Sequence, residues 1–318
     1  MSSAPTLPDF HEVSQARARI AAYVHVTPVH RSANLSSLAG CKLFFKCENL
    51  QKTGAFKVRG ACNAVFSLTE EQLSNGVITH SSGNHAMALS YAAAQRGTTA
   101  TVIMPSDSLA SKKNAVKAYG GALIECEPTL DARESTMLAT QAKSNATFVH
   151  PYNDPLVIAG QATCAAEFHE QVPGLDILVA PIGGGGMLSG SCISSNGLSP
   201  DTRIIAAEPR AADDAYQSFQ AGKLIELPSP TTIADGLKTN LGSLTWPCIR
   251  DNVSDILTVS EEEIIKATRL IWERLKMVVE PSSAVVLAAV LKYPNAFKNQ
   301  RVGLILTGGN VDIDQLPW

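Results

Sequence analysis

The chain has 318 residues, with 26 Lys and Arg against 29 Asp and Glu and a formal net charge of -3. No long run of either sign is present, which argues against a nucleic-acid or anionic-membrane surface and for a small-molecule partner. The length suits one large or two medium domains. No apolar run is long enough to cross a bilayer, and Met1 to Asp9 is polar and proline-bearing, so the expected location is the cytoplasm.

In chain order, a short helix is expected over Arg17 to Tyr23, closed by Thr27-Pro28, because the residue before proline leaves the helical region. Lys42 to Cys47 reads as a strand and Lys57 to Leu68 as a helix with Val58, Ala61, Ala64 and Val65 on one face. A regular alternation follows. Strands are expected at Gly76 to Thr79, Thr99 to Met104, Ala122 to Cys126 and Thr147 to His150, with helices up to about Gln95 and over Ser111 to Tyr119 and Asp131 to Ser144. The second half continues with a helix over Ala159 to Gln171, an apolar strand over Ile177 to Pro181, a helix from Met187 and a strand over Arg203 to Ala207. Glu261 to Lys276 has apolar residues at helical spacing and glutamates in its first turn, where they suit the helix dipole; its Trp272 reads as core. A buried helix over Ser282 to Leu291 and a strand over Arg301 to Leu306 complete the pattern. Strand, short loop and helix in repetition imply parallel sheets with right-handed crossovers. The expected fold is α/β, with two interleaved doubly wound domains and the site in the cleft between them. Residues 1–75 and 154–318 are assigned to a large cofactor-binding domain and 76–153 to a small mobile one.

Seven scattered cysteines lack any C-x-x-C spacing, so they read as buried thiols rather than zinc ligands or disulfides. Four stretches carry chemistry. In Thr53-Gly54-Ala55-Phe56-Lys57-Val58-Arg59-Gly60, a lysine near apolar groups loses its proton readily and can serve as a nucleophile or base. Taken alone, these eight residues read more simply, with Lys57 and Arg59 as solvated cations at a helix start. Gly183-Gly184-Gly185-Gly186, between a strand and a helix, offers unhindered N–H groups at a positive helix end, which suits phosphate. It lacks the dinucleotide and triphosphate patterns. Ser81-Ser82-Gly83-Asn84-His85 could hold a carboxylate or simply cap a helix, and the Thr307 hydroxyl at Thr307-Gly308-Gly309-Asn310 could meet a ring nitrogen. Glu208, Asp213 and Asp214 form an acidic turn that reads either as solvated or as hard-oxygen metal ligands.

Together these stretches resemble the threonine dehydratase and serine racemase branch of the fold-type II pyridoxal phosphate (PLP) enzymes. Val157-Ile158-Ala159-Gly160-Gln161, Ala206-Ala207-Glu208-Pro209 and Ile233-Ala234-Asp235-Gly236 match it as well, in order, over nearly the whole chain. The resemblance implies that Lys57 carries PLP as a Schiff base and that Gly183, Gly184, Gly185, Gly186 and Met187 bind its phosphate. It also implies that Asn84 contacts the ring hydroxyl, that Phe56 packs beside the ring and that Thr307 faces its nitrogen. Ser81, Ser82, Gly83, Asn84 and His85 would bind substrate. Ser82 matches the racemases, where biosynthetic dehydratases typically have alanine, so Lys57 and Ser82 are expected to be the acid/base pair. The implied activity is serine racemisation with β-elimination of serine to pyruvate and ammonia. The alternative is a dehydratase of threo-3-hydroxyaspartate or L-threonine.

The family further implies a homodimer and a divalent cation (Mg, Ca or Mn) at Glu208, the Ala212 carbonyl and Asp214. It also implies ATP as an effector at Ser32, Ala33, Lys52, Thr53, Tyr119, Lys276 and Asn310. Met87 departs from the polar amide of the animal racemases, which counts against ATP, and His150-Pro151-Tyr152-Asn153-Asp154 is closer to fungal and plant members. A biosynthetic threonine deaminase is disfavoured because the chain stops soon after Asn310. A non-catalytic pyridoxal-binding protein conflicts with the intact Lys57, and a nicotinamide oxidoreductase with the missing acidic ribose ligand.

Overall fold

The computed structural model describes residues 5–318 apart from Ser82, Leu109, Ser229 and the side chain of Leu130. Along the chain run strands β1 (Val29–His30), β2 (Lys42–Cys47), β3 (Val77–His80), β4 (Ala100–Pro105), β5 (Ala122–Cys126), β6 (Thr147–Phe148), β7 (Ile177–Pro181), β8 (Arg203–Pro209), β9 (Asp255–Val259) and β10 (Arg301–Leu306). They form a six-stranded sheet in the order β1-β2-β10-β7-β8-β9 and a four-stranded sheet in the order β5-β4-β3-β6. Every pairing is parallel except β1 with β2, where Val29 faces Lys46. The fold is therefore the expected α/β arrangement. Among the described residues no helix is long and apolar enough to cross a membrane.

The central strands of the larger sheet are apolar throughout because both of their faces are covered. Leu43, Phe45, Val179 and Leu304 point into one core with Ile264 and Val285 of the helices Glu261–Leu275 and Pro281–Lys292. Phe44, Leu178, Ala180 and Ile305 point into the other with Phe168 and Leu188 of the helices Pro155–Gln171 and Gly186–Leu198. The helices Lys57–Phe66 and Pro155–Gln171 approach so closely that a Cβ on Gly160 would lie 2.6 Å from the Gly60 Cα. Both positions must be glycine for that contact.

The first helix differs from expectation, running over Phe10–Ile20 rather than Arg17 to Tyr23. Its start is fixed by Asp9, which accepts from the Glu12 N–H while Glu12 accepts from the Asp9 N–H, and its buried stripe is Val13, Ala16 and Ile20. That reciprocal cap outweighs the proline signal at the far end. The sequence reading also passed over β1, β9 and the helices Ala33–Ala39, Glu70–Ser74, Asp214–Ala221 and Thr245–Asn252. Thr147 to His150 shortens to β6, which pairs through Thr147 and Phe148 with Val77 and Ile78 of β3, while the Val149 carbonyl accepts from the Thr79 hydroxyl at 2.9 Å.

Arg59 is not a solvated cation. It is fully buried, with Nε 2.7 Å from Glu48 and Nη1 2.8 Å from Glu167, whose other oxygen is 2.8 Å from the buried Lys46 ammonium. Two cations and two carboxylates thus compensate one another and tie β2, the Lys57–Phe66 helix and the Pro155–Gln171 helix together. Removing one partner leaves an unpaired buried charge, which costs about 3–5 kcal/mol. Arg59→Met should lower unfolding stability by that amount in urea titration, whereas Arg17→Met, at an exposed pair with Glu170, should cost less than about 1 kcal/mol.

Candidate active site

The crevice at the carboxyl ends of β3, β7 and β10 collects the turns that follow them, as expected for doubly wound sheets. Lys57 opens the helix Lys57–Phe66. Its ammonium donates to the Pro151 carbonyl at 2.8 Å and lies 5.2 Å from the centre of the Phe56 ring. Burial pulls the amine down to about 8, against the opposing pull of Glu280. At neutral pH roughly one molecule in ten then carries the free amine, against fewer than about one in a thousand for an unperturbed lysine.

The four glycines leave β7 and enter the helix Gly186–Leu198 through Gly185 at φ 87°, a left-handed conformation that a side chain would strain. Space forbids side chains as well. A Cβ on Gly184 would fall 2.3 Å from the Tyr152 ring, and one on Gly185 would fall 2.8 Å from Thr245. The Thr245 hydroxyl donates to the Gly184 carbonyl at 2.8 Å, which fixes the loop. Among the described residues, the N–H groups of Gly183, Gly184 and Gly185 meet no acceptor, and no side chain caps the helix. A row of free donors at a positive helix end suits a phosphate.

Ser81, Gly83, Asn84 and His85 line the turn after β3, and Ser82 lies outside the described residues. No side chain caps the helix Asn84–Arg96 that begins there. Within the turn the Gly83 N–H donates to the Ser81 hydroxyl at 3.4 Å. Asn84 Nδ2 donates to both Glu280 oxygens, at 2.9 and 3.1 Å, and its Oδ1 accepts from Asn310 Nδ2 at 2.8 Å. Asn310 also donates to the Thr53 carbonyl at 2.8 Å. His85 is buried, with Nε2 3.2 Å from the Val149 carbonyl and Nδ1 without a partner among the described residues. Burial holds it well below its ordinary value, so the ring is neutral. Thr307 is buried with its hydroxyl 3.1 Å from Ser283.

Glu280 joins the site through Asn84, beyond what the sequence motifs indicate. It is 4 % exposed, and burial followed by Asp235 pushes its carboxyl up to about 7. Its only sequence signal was Glu280-Pro281 ahead of an apolar helix, which reads as a helix start.

Glu208 and Asp214 are both buried. Glu208 accepts from the Ala215 and Tyr216 N–H groups at 3.1 and 2.9 Å, and Asp214 accepts from the Leu241 N–H at 3.1 Å. Burial raises both, Asp214 to about 7 and Glu208 well above the carboxylate range, and the Asp214 charge adds to the rise at Glu208. Asp213 instead accepts from the Gln217 amide. No cluster of three His, Cys, Asp or Glu occurs among the described residues. Of the residues read as a nucleotide site, Thr53 meets Asn310, while Lys52 and Tyr119 both pack on Tyr91. Ser32 caps the helix that Ala33 opens, and Lys276 ends another.

An amine of lowered pKa, a cradle of free N–H groups and a buried hydroxyl around one crevice define a site for a phosphorylated aldehyde, and the residues present fit PLP. The chain belongs to the pyridoxal-phosphate dependent enzyme family, which matches residues 20–308, and it is a PLP-dependent enzyme. It is 55% identical to a β-hydroxyaspartate dehydratase of Paracoccus denitrificans, covering 98% of this chain and 99% of that one. It is 48% identical to a serine racemase of Dictyostelium discoideum, covering 96% and 95%. The structure of maize serine racemase superposes with a TM-score of 0.95 at 46% identity, covering 96% of this chain and 94% of the other.

The position of Glu280 sets a pH signature. Its carboxyl holds a proton more tightly when folded, so its destabilising charge grows as pH rises from its ordinary value of 4.5 through about 7. In the cofactor-free protein, Glu280→Gln should melt higher than the unmodified chain at pH 8 and nearly level with it at pH 5. A gap independent of pH in thermal scans would contradict the raised value.

Proposed function

We propose that the chain is a PLP-dependent racemase and ammonia-lyase of small β-hydroxy amino acids. In this reading it interconverts L- and D-serine and eliminates water from L-serine to give pyruvate and ammonia. The observation that carries this reading is the buried Lys57 amine, with a pKa of about 8, held by the Pro151 carbonyl next to Tyr152, whose ring packs on Gly184. The bound cofactor supplies an electron sink that acidifies the substrate Cα–H. Lys57 anchors the cofactor and then moves that proton; a pKa near working pH suits both directions. Ser82 carries the proton for the opposite hand of the substrate. Gly183 to Met187 hold the phosphate, and Phe56 packs beside the ring. Asn84, oriented by Glu280 and Asn310, contacts the ring hydroxyl. The Thr307 hydroxyl is too weak an acid to keep the ring nitrogen protonated, which favours elimination and racemisation over transamination. The α-carboxylate sits on the Ser81 to His85 turn, at the positive end of the helix Asn84–Arg96, which suits an anion.

We also assign residues 76–153, which carry the four-stranded sheet, to a small domain that closes over the cleft against 1–75 and 154–318. Glu208, the Ala212 carbonyl and Asp214 are proposed to hold Mg, Ca or Mn. In support, the two carboxylates are buried beside each other with no cationic side chain paired to them among the described residues. A homodimer in the cytoplasm is the proposed form, and the exposed Leu50 and Val278, adjacent through the Asn49 amide bond to the Val278 carbonyl, suit a subunit interface. Met87 is apolar and buried, so the proposal does not extend to ATP.

A second reading is dehydration of threo-3-hydroxyaspartate, supported by the 55% identical relative of that name and by a cation beside the substrate turn, Lys112. L-threonine dehydration uses the same residues. Feeding L-serine, L-threonine and L-threo-3-hydroxyaspartate to the holoenzyme separates these outcomes. Ser82→Ala should lower D-serine formation by roughly 10²–10⁴-fold while elimination from L-serine persists; oxaloacetate as the sole product would establish the second reading. For the cation, magnesium at a hundredfold excess over its Kd should stabilise the fold by about 2.7 kcal/mol, and Glu208→Gln should abolish that gain in thermal scans.

A further inference from the structure

Lys112 lies in the first turn of the helix Ala110–Ala118, which has no acidic residue there to offset it. A cation at a helix N-terminus opposes the dipole, so its position calls for a partner elsewhere. The neighbouring Lys113 finds one locally, bonding Glu125 and the Ser106 carbonyl within its own sheet. Lys112 reaches instead across the cleft to Asp235, which follows the larger sheet's β8 by a long connection. On the way it passes over the substrate turn. A Cβ on Gly83 would lie 3.9 Å from the Lys112 ammonium.

The Asp235 carboxylate thus marks a place beside the turn where a carboxylate meets a cation. Asp235 is 44% exposed and Lys112 is 19% exposed; pairs this accessible add little net stability, so a competing carboxylate can displace Asp235. The same pair lines a cavity of about 240 Å³ with Pro281, Asn310 and Trp318, which leaves room for the displaced group. Asp235 also raises the Glu280 carboxyl while Lys112 lowers it, so both charges are felt inside the site. A serine hydroxymethyl group carries nothing for Lys112 to bind. A four-carbon β-hydroxy amino diacid does.

We infer that Lys112 is a specificity residue: it exchanges Asp235 for the second carboxylate of a dicarboxylic β-hydroxy amino acid whose first carboxylate sits on the Ser81 to His85 turn. This rests on the β-hydroxy amino-acid reading above and names its substrate class. The competing account makes the pair only a clasp that steadies closure over any substrate.

The test measures kcat/KM for L-threo-3-hydroxyaspartate and for L-serine with the holoenzyme, and the ratio of the two is the readout. Lys112→Met should lower the ratio at least thirtyfold, Lys112→Arg should restore most of it, and Asp235→Asn, which frees the ammonium, should raise it severalfold. If both substrates fall together in Lys112→Met and Asp235→Asn, the pair is a clasp and the inference is overturned. Calorimetric binding of succinate and of its monoamide to the holoenzyme gives a second readout that needs no turnover. Succinate should bind at least tenfold more tightly than the monoamide, and Lys112→Met should erase the difference. Equal binding to the unmodified enzyme would overturn the inference. A holoenzyme inert toward every hydroxy amino acid would instead refute the proposed function, with succinate binding still deciding the role of Lys112.

Discussion

An amine that must be free near neutral pH has to be kept where water solvates its charge poorly, and holding it there is the constraint on which the rest of the site depends. Burial alone would let Lys57 withdraw toward any nearby carboxylate. The Pro151 carbonyl gives it a neutral acceptor at 2.8 Å, and the nearest carboxyl to act on it, Glu280, is itself pushed up to about 7. The two groups are matched, each near the point where it can gain or lose a proton. Two residues along the chain, Arg59 meets the opposite treatment. It stays charged because Glu48 and Glu167 surround it, and it thereby pins the first turn of the helix that presents Lys57. A poorly solvated amine is useful only if its backbone cannot shift to relieve it.

The glycine cradle follows the same logic of crowding. Tyr152, Thr245 and Ile249 stand within 3 Å of where side chains at Gly184 and Gly185 would be, so the loop is clamped rather than loose. Tyr152 follows Pro151, whose carbonyl holds Lys57, and its ring packs on the loop, so a single short segment positions both the amine and the glycine loop. His150 joins it there: its Nδ1 accepts from the Tyr152 and Asn153 N–H groups at 3.2 and 2.9 Å. Burial holds that ring down to about 3, so it stays a neutral acceptor and the turn keeps its shape across the working range of pH.

Much of this was legible in the sequence because it was local. Strands β2, β5, β7 and β10 fall where apolar runs between turn residues placed them, and the tetraglycine and Lys57 stand in turns that their neighbours announce. What was not legible depended on partners far away in sequence. Arg59 reads as solvent-exposed until Glu167, 108 residues on, is brought against it. Glu280 reads as a helix start until Asn84 crosses the cleft to meet it. The helix Phe10–Ile20 differs for another reason: the Asp9 and Glu12 cap is local in sequence, but it competes with the proline signal at Thr27-Pro28. Helix Asp214–Ala221 is hard to read because its anchor, Glu208, lies outside it at the end of a strand, from where it accepts the N–H groups of Ala215 and Tyr216.

Across the mouth of the crevice, the charges form one coupled set rather than separate pairs. Glu280 is raised by Asp235 and lowered by Lys112, and Lys57 is raised by Glu280. A change at the rim therefore reaches the amine in two steps. Asn84 is bonded to Glu280 through its amide hydrogens and to Asn310 through its oxygen, so its orientation is fixed by a carboxyl whose charge responds to Asp235. Asn310 in turn holds the Thr53 carbonyl, which precedes Lys57 by four residues in the left-handed turn at Thr53, φ 61°. The path from rim carboxylate to Asn84 to the lysine turn is continuous in hydrogen bonds and charge contacts. The Asp235 and Lys112 charges at the rim and the Lys57 amine are consequently linked through the same few residues.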